Sequence, residues 1–234
     1  MKIFCNNTNP NQDEFLRSIL DIDDVYKNME LHFNNDEIYI LNKDYKNPVR
    51  VEIDFNDPKF INRNNRRLKD KKEIFWKIFS SKNSSILDCT GGFGKDAFLL
   101  DSMGHDVTML ENSPIVSLLL KNALDKINDH NINLFFGNAY DFISHSNEKY
   151  DYIYFDFMFE KLKNTSPSTK DIETLKKISF KNNDKNQLIK IAKKKINKYV
   201  VVKEPTNSIS GLIKPNHTYK SKLLMYNIYI SSND

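Results

Sequence analysis

The sequence predicts an α/β fold, a largely parallel sheet with helices on both faces, preceded by a small α+β domain. Three observations predict it. Ile86 to Asp96, Ile-Leu-Asp-Cys-Thr-Gly-Gly-Phe-Gly-Lys-Asp, reads as strand, tight loop and helix start, and Gly91, Gly92 and Gly94 supply half of the six glycines in the chain. From Ile86 to Phe155 apolar runs of strand length alternate with segments of helical period, the pattern of a sheet wound on both faces. Before residue 57 the apolar runs are short, and Asn34-Asn35 between two of them reads as a hairpin turn. The chain therefore divides into residues 1–56, a small α+β domain; 57–85, a basic linker helix; and 86–234, the main domain.

In the first part, strands are expected at Lys2 to Phe4, Met29 to Phe33, Glu37 to Leu41 and Val49 to Phe55, with a short helix over Phe15 to Leu20. Asp57-Pro58 opens the next helix, because proline is tolerated in the first turn, where its missing N–H is not needed. Ile74, Phe75, Ile78 and Phe79 recur at helical spacing and should pack a helix on the main domain together with Trp76; Ser80 to Ser85 reads as a polar linker. The main domain then runs Ile86 to Asp88 strand, Asp96 to Met103 helix, Val107 to Glu111 strand, Ser113 to about Asn128 helix, Ile132 to Phe136 strand and Tyr150 to Phe155 strand. Ser113-Pro114 supplies an N-cap and a first-turn proline. A polar, lysine-rich insertion follows to about Asn186, with a short helix expected near Ile172 to Ile178. A helix over Asn186 to Lys198, a buried strand Tyr199 to Lys203, and a strand Leu223 to Ile230 that pairs as a hairpin with Thr218 to Lys222 complete the chain.

Ligands of such a sheet collect beyond the carboxyl ends of its strands, where the glycine loop, Glu111, Asn138 to Asp141 and Asp156 all fall. Glycines in the loop permit close backbone approach, and a helix opening at Lys95 or Asp96 aims free N–H groups at the ligand. Glu111 can accept hydrogen bonds from both ribose hydroxyls of a nucleoside. Gly92-x-Gly94-x-x-Ala97 with a downstream acid fits a dinucleotide as well as S-adenosylmethionine, so this loop alone does not choose between them.

Composition narrows the classes. The chain has 234 residues, enough to bury a sizeable core, and a net charge of +4 that is unevenly spread. Arg63, Arg66, Arg67, Lys69, Lys71, Lys72 and Lys77 crowd one stretch against Asp70 and Glu73, as a phosphate-backbone partner requires, although the chain is rich in lysine throughout. No apolar run is long enough to span a bilayer and no leader pattern is present, so a soluble, cytoplasmic protein is expected. The two cysteines and five histidines show neither a disulfide framework nor metal spacing, and no metal is expected.

The second informative motif is Asp151-Tyr-Ile-Tyr-Phe-Asp156-Phe157-Met158-Phe159. An acid at the end of the fourth strand of the main domain, then two apolar residues and an aromatic, suits methylation of an exocyclic amino group. The nitrogen lone pair is shared with the ring, and acceptors on its N–H bonds pull it toward tetrahedral geometry.

With these motifs the chain resembles the RsmJ-type small-subunit (16S) ribosomal RNA guanine-N2 methyltransferases. The family's Asp-Ala-Thr-Ala-Gly-Leu-Gly-Arg-Asp-Ala-Phe is here Asp88-Cys-Thr90-Gly-Gly92-Phe-Gly94-Lys95-Asp96-Ala97-Phe98; its Met-Leu-Glu-Arg-Asn-Pro is Met109 to Pro114; its Val-Val-Val-Lys-Arg-Pro is Val200 to Pro205. The resemblance implies a class I, Rossmann-like methyltransferase fold, S-adenosylmethionine as cofactor, and ribosomal RNA or the small ribosomal subunit as partner. It places cofactor contacts at Lys95, Asp96, Glu111, Asn112, Ala139, Tyr140 and Asp156, with Asp88, Thr90, Gly92 and Gly94 forming the loop. Asp156 and Phe159 become the catalytic pair, accepting the amino group and stacking on the base; Phe157, Met158, Arg63, Arg66, Arg67 and Lys203 are expected on the substrate side. The family's Asp-Pro-Met-Phe-Pro is here Asp156-Phe157-Met158-Phe159-Glu160, without the stiffening proline, and the His-Arg-Arg stretch with glycines that follows its Val-Asp-Phe is here Asn62-Arg63-Asn64-Asn65-Arg66-Arg67. A methyltransferase for a small molecule or a protein, and a non-catalytic RNA-binding relative, are the competing readings; a nicotinamide dehydrogenase explains neither Asp156 to Phe159 nor Lys203.

Overall fold

The computed structural model describes residues 2–5, 28–34, 37–157, 169–170, 172–174, 184–208 and 211–231. A four-stranded sheet comes first, in the order β1 (Lys2–Cys5), β2 (Met29–Asn34), β3 (Glu37–Asn42), β4 (Val49–Val51). β2 and β3 pair antiparallel up to Asn34 opposite Glu37, as the hairpin reading requires, while the turn residue Asn35 lies outside the described residues. So does the helix expected over 15–20. Of the strand expected to reach Phe55, only the first three residues pair; Ile53 and Phe55 are buried in an irregular run instead.

Two helices follow. α1 (Pro58–Lys69) is capped by Asp57, whose side chain accepts from the Phe60 N–H at 2.9 Å. α2 (Ile74–Ile78) is short and buries Phe75 and Ile78. The stretch expected to be a polar linker is partly inside: Ser84 is buried and Ser85 begins a strand, because Lys198 reaches Ser84 and Asp151 exchanges hydrogen bonds with Ser85.

The large sheet has seven strands: β5 (Ser85–Asp88), β6 (Asp106–Glu111), β7 (Ile132–Phe136), β8 (Tyr150–Phe155), β9 (Ile196–Pro205), β10 (His217–Lys220) and β11 (Leu224–Ile230), in the spatial order β10-β11-β9-β8-β5-β6-β7. β5 to β9 run parallel and β11 runs antiparallel to both neighbours. β10 and β11 form the expected hairpin. α3 (Lys95–Ser102), α4 (Pro114–Leu124), α5 (Ala139–His145) and α6 (Lys185–Ala192) fill the connections. The sequence reading overran two helices, since α4 stops at Leu124 and residues 196–198 extend β9; it missed α5, which buries only Ala139 and Ile143 and so shows little periodicity. Of the helix expected near residues 172–178, Ile172 to Thr174 are helical, and the remainder lies outside the described residues.

Period-two alternation divides β8 between two cores. Tyr152 and Tyr154 face α3, α4 and the small sheet; Ile153, Phe155 and the following Phe157 face α5 and α6. The first cluster is continuous from Met29, Leu31 and Ile40 of the small sheet through Phe55 and Phe75 to Leu119 and Leu120 of α4. The strand order turns back at β5, which has β6 on one side and β8 on the other, and the crevice beyond the carboxyl ends of β5 and β8 is where such sheets take ligands. Among the described residues no helix is long and apolar enough to cross a membrane, and no group of three potential metal ligands occurs.

Candidate active site

β5 ends at Asp88, which is buried and accepts from the Thr90 N–H at 2.9 Å and the Thr90 hydroxyl at 3.2 Å. The loop is built for close packing. Gly94 has φ +68°, and a Cβ there would come within 2.8 Å of the Phe55 ring and 2.9 Å of Leu120; at Gly91 a Cβ would meet the Leu110 carbonyl at 3.1 Å. Residues past the loop start α3, which carries Asp96 in its first turn. Glu111, at the end of β6, accepts from the Gly92 N–H at 2.9 Å and the Ser113 N–H at 2.7 Å, so it ties the glycine loop to the cap of α4. With the Asn112 N–H also drawn to it, the carboxylate keeps a lone pair for a ligand hydroxyl. Burial raises the pKa of Glu111, and the Ser113, Gly92 and Asn112 N–H groups oppose the rise. Asn112 is half-buried beside it; Ala139 opens α5, buried behind the Asn138 cap, and Tyr140 is exposed with its hydroxyl accepting from Gln187 at 3.1 Å.

The centre of the crevice is an ionic cluster. Lys203 Nζ lies 2.6 Å from Asp96 Oδ2 and 2.7 Å from Asp156 Oδ2. Asp96 also accepts from the Tyr154 hydroxyl at 2.8 Å and from Arg67 at 3.0 Å, and Arg67 pairs with Glu73 while lying over the Phe75 ring. The Asp156 N–H donates to the Thr90 hydroxyl at 2.7 Å, joining the end of β8 to the glycine loop. Burial alone would raise the pKa of Asp96, but the Lys203 and Arg67 charges hold it well below the usual carboxylate range. For Asp156 burial prevails, with Asp96 adding to it, and its pKa is raised in spite of Lys203; 39% of its side chain stays open to solvent, so screening moderates the shift. Asp88 is pushed up to about 7 by burial, with Asp96 and Asp156 nearby adding to the rise. Lys203 is held above the ordinary lysine value, because its two carboxylates outweigh its own desolvation.

The expected site residues thus fall into groups. Asp88, Thr90, Gly92, Gly94, Asp96, Glu111 and Asp156 stand together at the carboxyl ends of β5, β6 and β8. Lys95 is exposed, its ammonium over the Phe93 ring. Of the basic stretch, Arg63 and Arg66 are exposed on α1, whereas Arg67 turns inward to Asp96. Lys203 also points into the cluster. The Phe157 ring is buried and stacked on Phe155 at 4.9 Å, so its main-chain carbonyl is what it can offer a substrate. Met158 and Phe159 lie outside the described residues. Sequence reasoning missed Tyr154, whose signal was its place two residues before Asp156 on one strand, hence on the same face.

Residues 17–231 match the model of a family of SAM-dependent methyltransferases. The ribosomal RNA small subunit methyltransferase J of Francisella tularensis subsp. novicida is 30% identical over 215 residues, covering 86% of this chain and 83% of the relative. The chain belongs to the ribosomal RNA small subunit methyltransferase J family. A Buchnera aphidicola member is 29% identical over 224 residues, 88% of each chain. A crystal structure of a SAM-dependent methyltransferase from Neisseria gonorrhoeae superposes with a TM-score of 0.69 at 21% identity, covering all of this chain and 97% of the other. The fold is that of the class I methyltransferases, and the family's methyl donor is S-adenosylmethionine. The crevice fits that donor: Glu111 offers an acceptor beside the glycine loop, and the Asp96, Asp156 and Glu111 carboxylates outnumber Lys203 and Arg67, which suits a positively charged sulfonium.

Proposed function

We propose that this chain methylates the exocyclic N2 of a guanine in small-subunit ribosomal RNA, working in the cytoplasm on the RNA or the small subunit. The observation that carries the reading is Asp156 at the carboxyl end of β8 beside the sheet's switch point, its main-chain N–H held by Thr90 and its carboxylate by Lys203. When bound, S-adenosylmethionine supplies a methyl group on a sulfonium, and the electron pair of the broken C–S bond stays on sulfur. Glu111, Asp96 and the glycine loop hold the donor. Asp156 and the Phe157 carbonyl accept the two amino N–H bonds of a flipped guanine and bring the nitrogen lone pair to bear, and Phe159 stacks on the base. The nitrogen becomes acidic once the methyl is on it, so one N2 proton leaves to Asp156 or water and no strong base is needed beforehand. The names of the relatives support ribosomal RNA as the substrate, and the exposed Arg63 and Arg66 suit a phosphate backbone.

The test is to incubate the protein with labelled S-adenosylmethionine and, separately, small subunits, total RNA and protein extract from cells lacking the gene, then map the label by nuclease digestion. N2-methylguanine in small-subunit RNA is the expected product. Label on another base, or only in the protein fraction, overturns the reading.

A further inference from the structure

The lysine near the carboxyl end of β9 does more than balance charge. β8 and β9 are parallel with Phe155 opposite Val202, so the next residues, Asp156 just past β8 and Lys203 still within β9, lie side by side. Lys203 is only 16% exposed and bridges carboxylates from two different elements, Asp96 of α3 and Asp156 after β8, at 2.6 Å and 2.7 Å. A lysine so enclosed, with two carboxylates at contact, acts first on them, whereas the sequence suggests the substrate side for it. We propose that Lys203 is a positioning residue, fixing the Asp156 carboxylate in its ionised form at the crevice so that it can accept the substrate amino group. The inference rests on the functional reading above.

The groups facing Asp156 set the sign of the effect. Lys203 from β9 favours its ionised form, and Arg67 from α1 does so at longer range through Asp96; Asp96 from α3 and Asp88 from β5 oppose it; Tyr154 from β8 and Tyr226, the cross-strand partner of Lys203 on β11, are neutral phenols. Burial also opposes ionisation. Without the ammonium, Asp156 would hold its proton to higher pH and would donate where it must accept.

Carbon-detected NMR titration of the Asp156 carboxyl, which needs no turnover, tests this in the intact protein. Lys203→Met should raise the Asp156 midpoint by about 1–3 pH units, the scale for removing an opposite charge at contact. Lys203→Arg should restore most of it, and Asp96→Asn should lower it. Single-turnover methylation at saturating donor and RNA should show its acid limb moving the same way in each variant. A structural role alone would change stability and leave these opposite-signed shifts absent. An Asp156 midpoint that stays put in both Lys203→Met and Asp96→Asn overturns the proposal. If Lys203→Met does not fold, Lys203→Gln takes its place with the same expected rise, and Asp96→Asn keeps its expected fall. Wild-type protein that makes no N2-methylguanine while the midpoints shift as expected would overturn the functional reading and leave the electrostatic role standing.

Discussion

The proposed chemistry centres on Asp156, and its surroundings give single changes a definite expected effect. Asp156→Ala should slow methyl transfer about 10²-fold or more at saturating donor, the usual scale for one positioned acceptor, with donor affinity measured in the same variant. In the same proposal Glu111 acts on binding, since it holds the Gly92 and Ser113 N–H groups at the glycine loop and would accept from the ribose. Calorimetry on Glu111→Ala should show donor binding weaker by about 1–3 kcal/mol, the scale of a hydrogen bond to a charged group, and preference for a nicotinamide dinucleotide over the methyl donor would contradict the assignment. Gly94 tests packing: with φ +68° and the Phe55 ring 2.8 Å from the missing Cβ, Gly94→Ala should lose about 1–3 kcal/mol in urea melts.

α1 shows how one helix divides its duties. Phe60, Asn64, Arg67 and Leu68 form the inward stripe, with Asn64 donating to Ser102 at 3.1 Å and Phe60 packed edge-on to Phe98, while Arg63 and Arg66 face out. Charge reversal of Arg63 and Arg66 together should flatten the salt dependence of RNA binding by about one unit of slope for each phosphate that is no longer neutralised. Arg67→Ala, which removes the ion pairs to Asp96 and Glu73, should instead act on stability, by about 1–3 kcal/mol. The sequence could not separate these neighbours, because the partner that turns Arg67 inward lies 29 residues on, and the one that engages Lys203 lies 107 residues back. Strand positions, by contrast, were legible wherever a run is apolar on both faces, as at Ile132 to Phe136 and Tyr150 to Phe155, and the acids at strand ends were legible from the end of each run. α5 was not, since two buried side chains leave no periodic signature.

At the scale of the whole molecule the buried acids give opposing pH dependences. Asp96 has a lowered pKa, so the stability it contributes is present above the unfolded value near 4 and is lost as pH falls below it. Asp88 is raised to about 7, so the folded state binds its proton more tightly than the unfolded chain does; that contribution is full below about pH 4 and declines until pH passes about 7. Asp88→Asn, which can still accept from Thr90, should make the decline between pH 4 and 7 shallower in urea melts, the raised Glu111 and Asp156 supplying what is left of it, and an unchanged slope would show that Asp88 titrates normally. The continuous core has a different consequence, in the order of synthesis. Met29, Leu31 and Ile40 leave the ribosome early, yet the α4 residues that cover them, Leu119 and Leu120, follow about eighty residues later. At 5–20 residues per second the small sheet waits on the order of ten seconds with its apolar face bare. A chaperone, or the ribosome surface itself, would shelter that face until its cover is made.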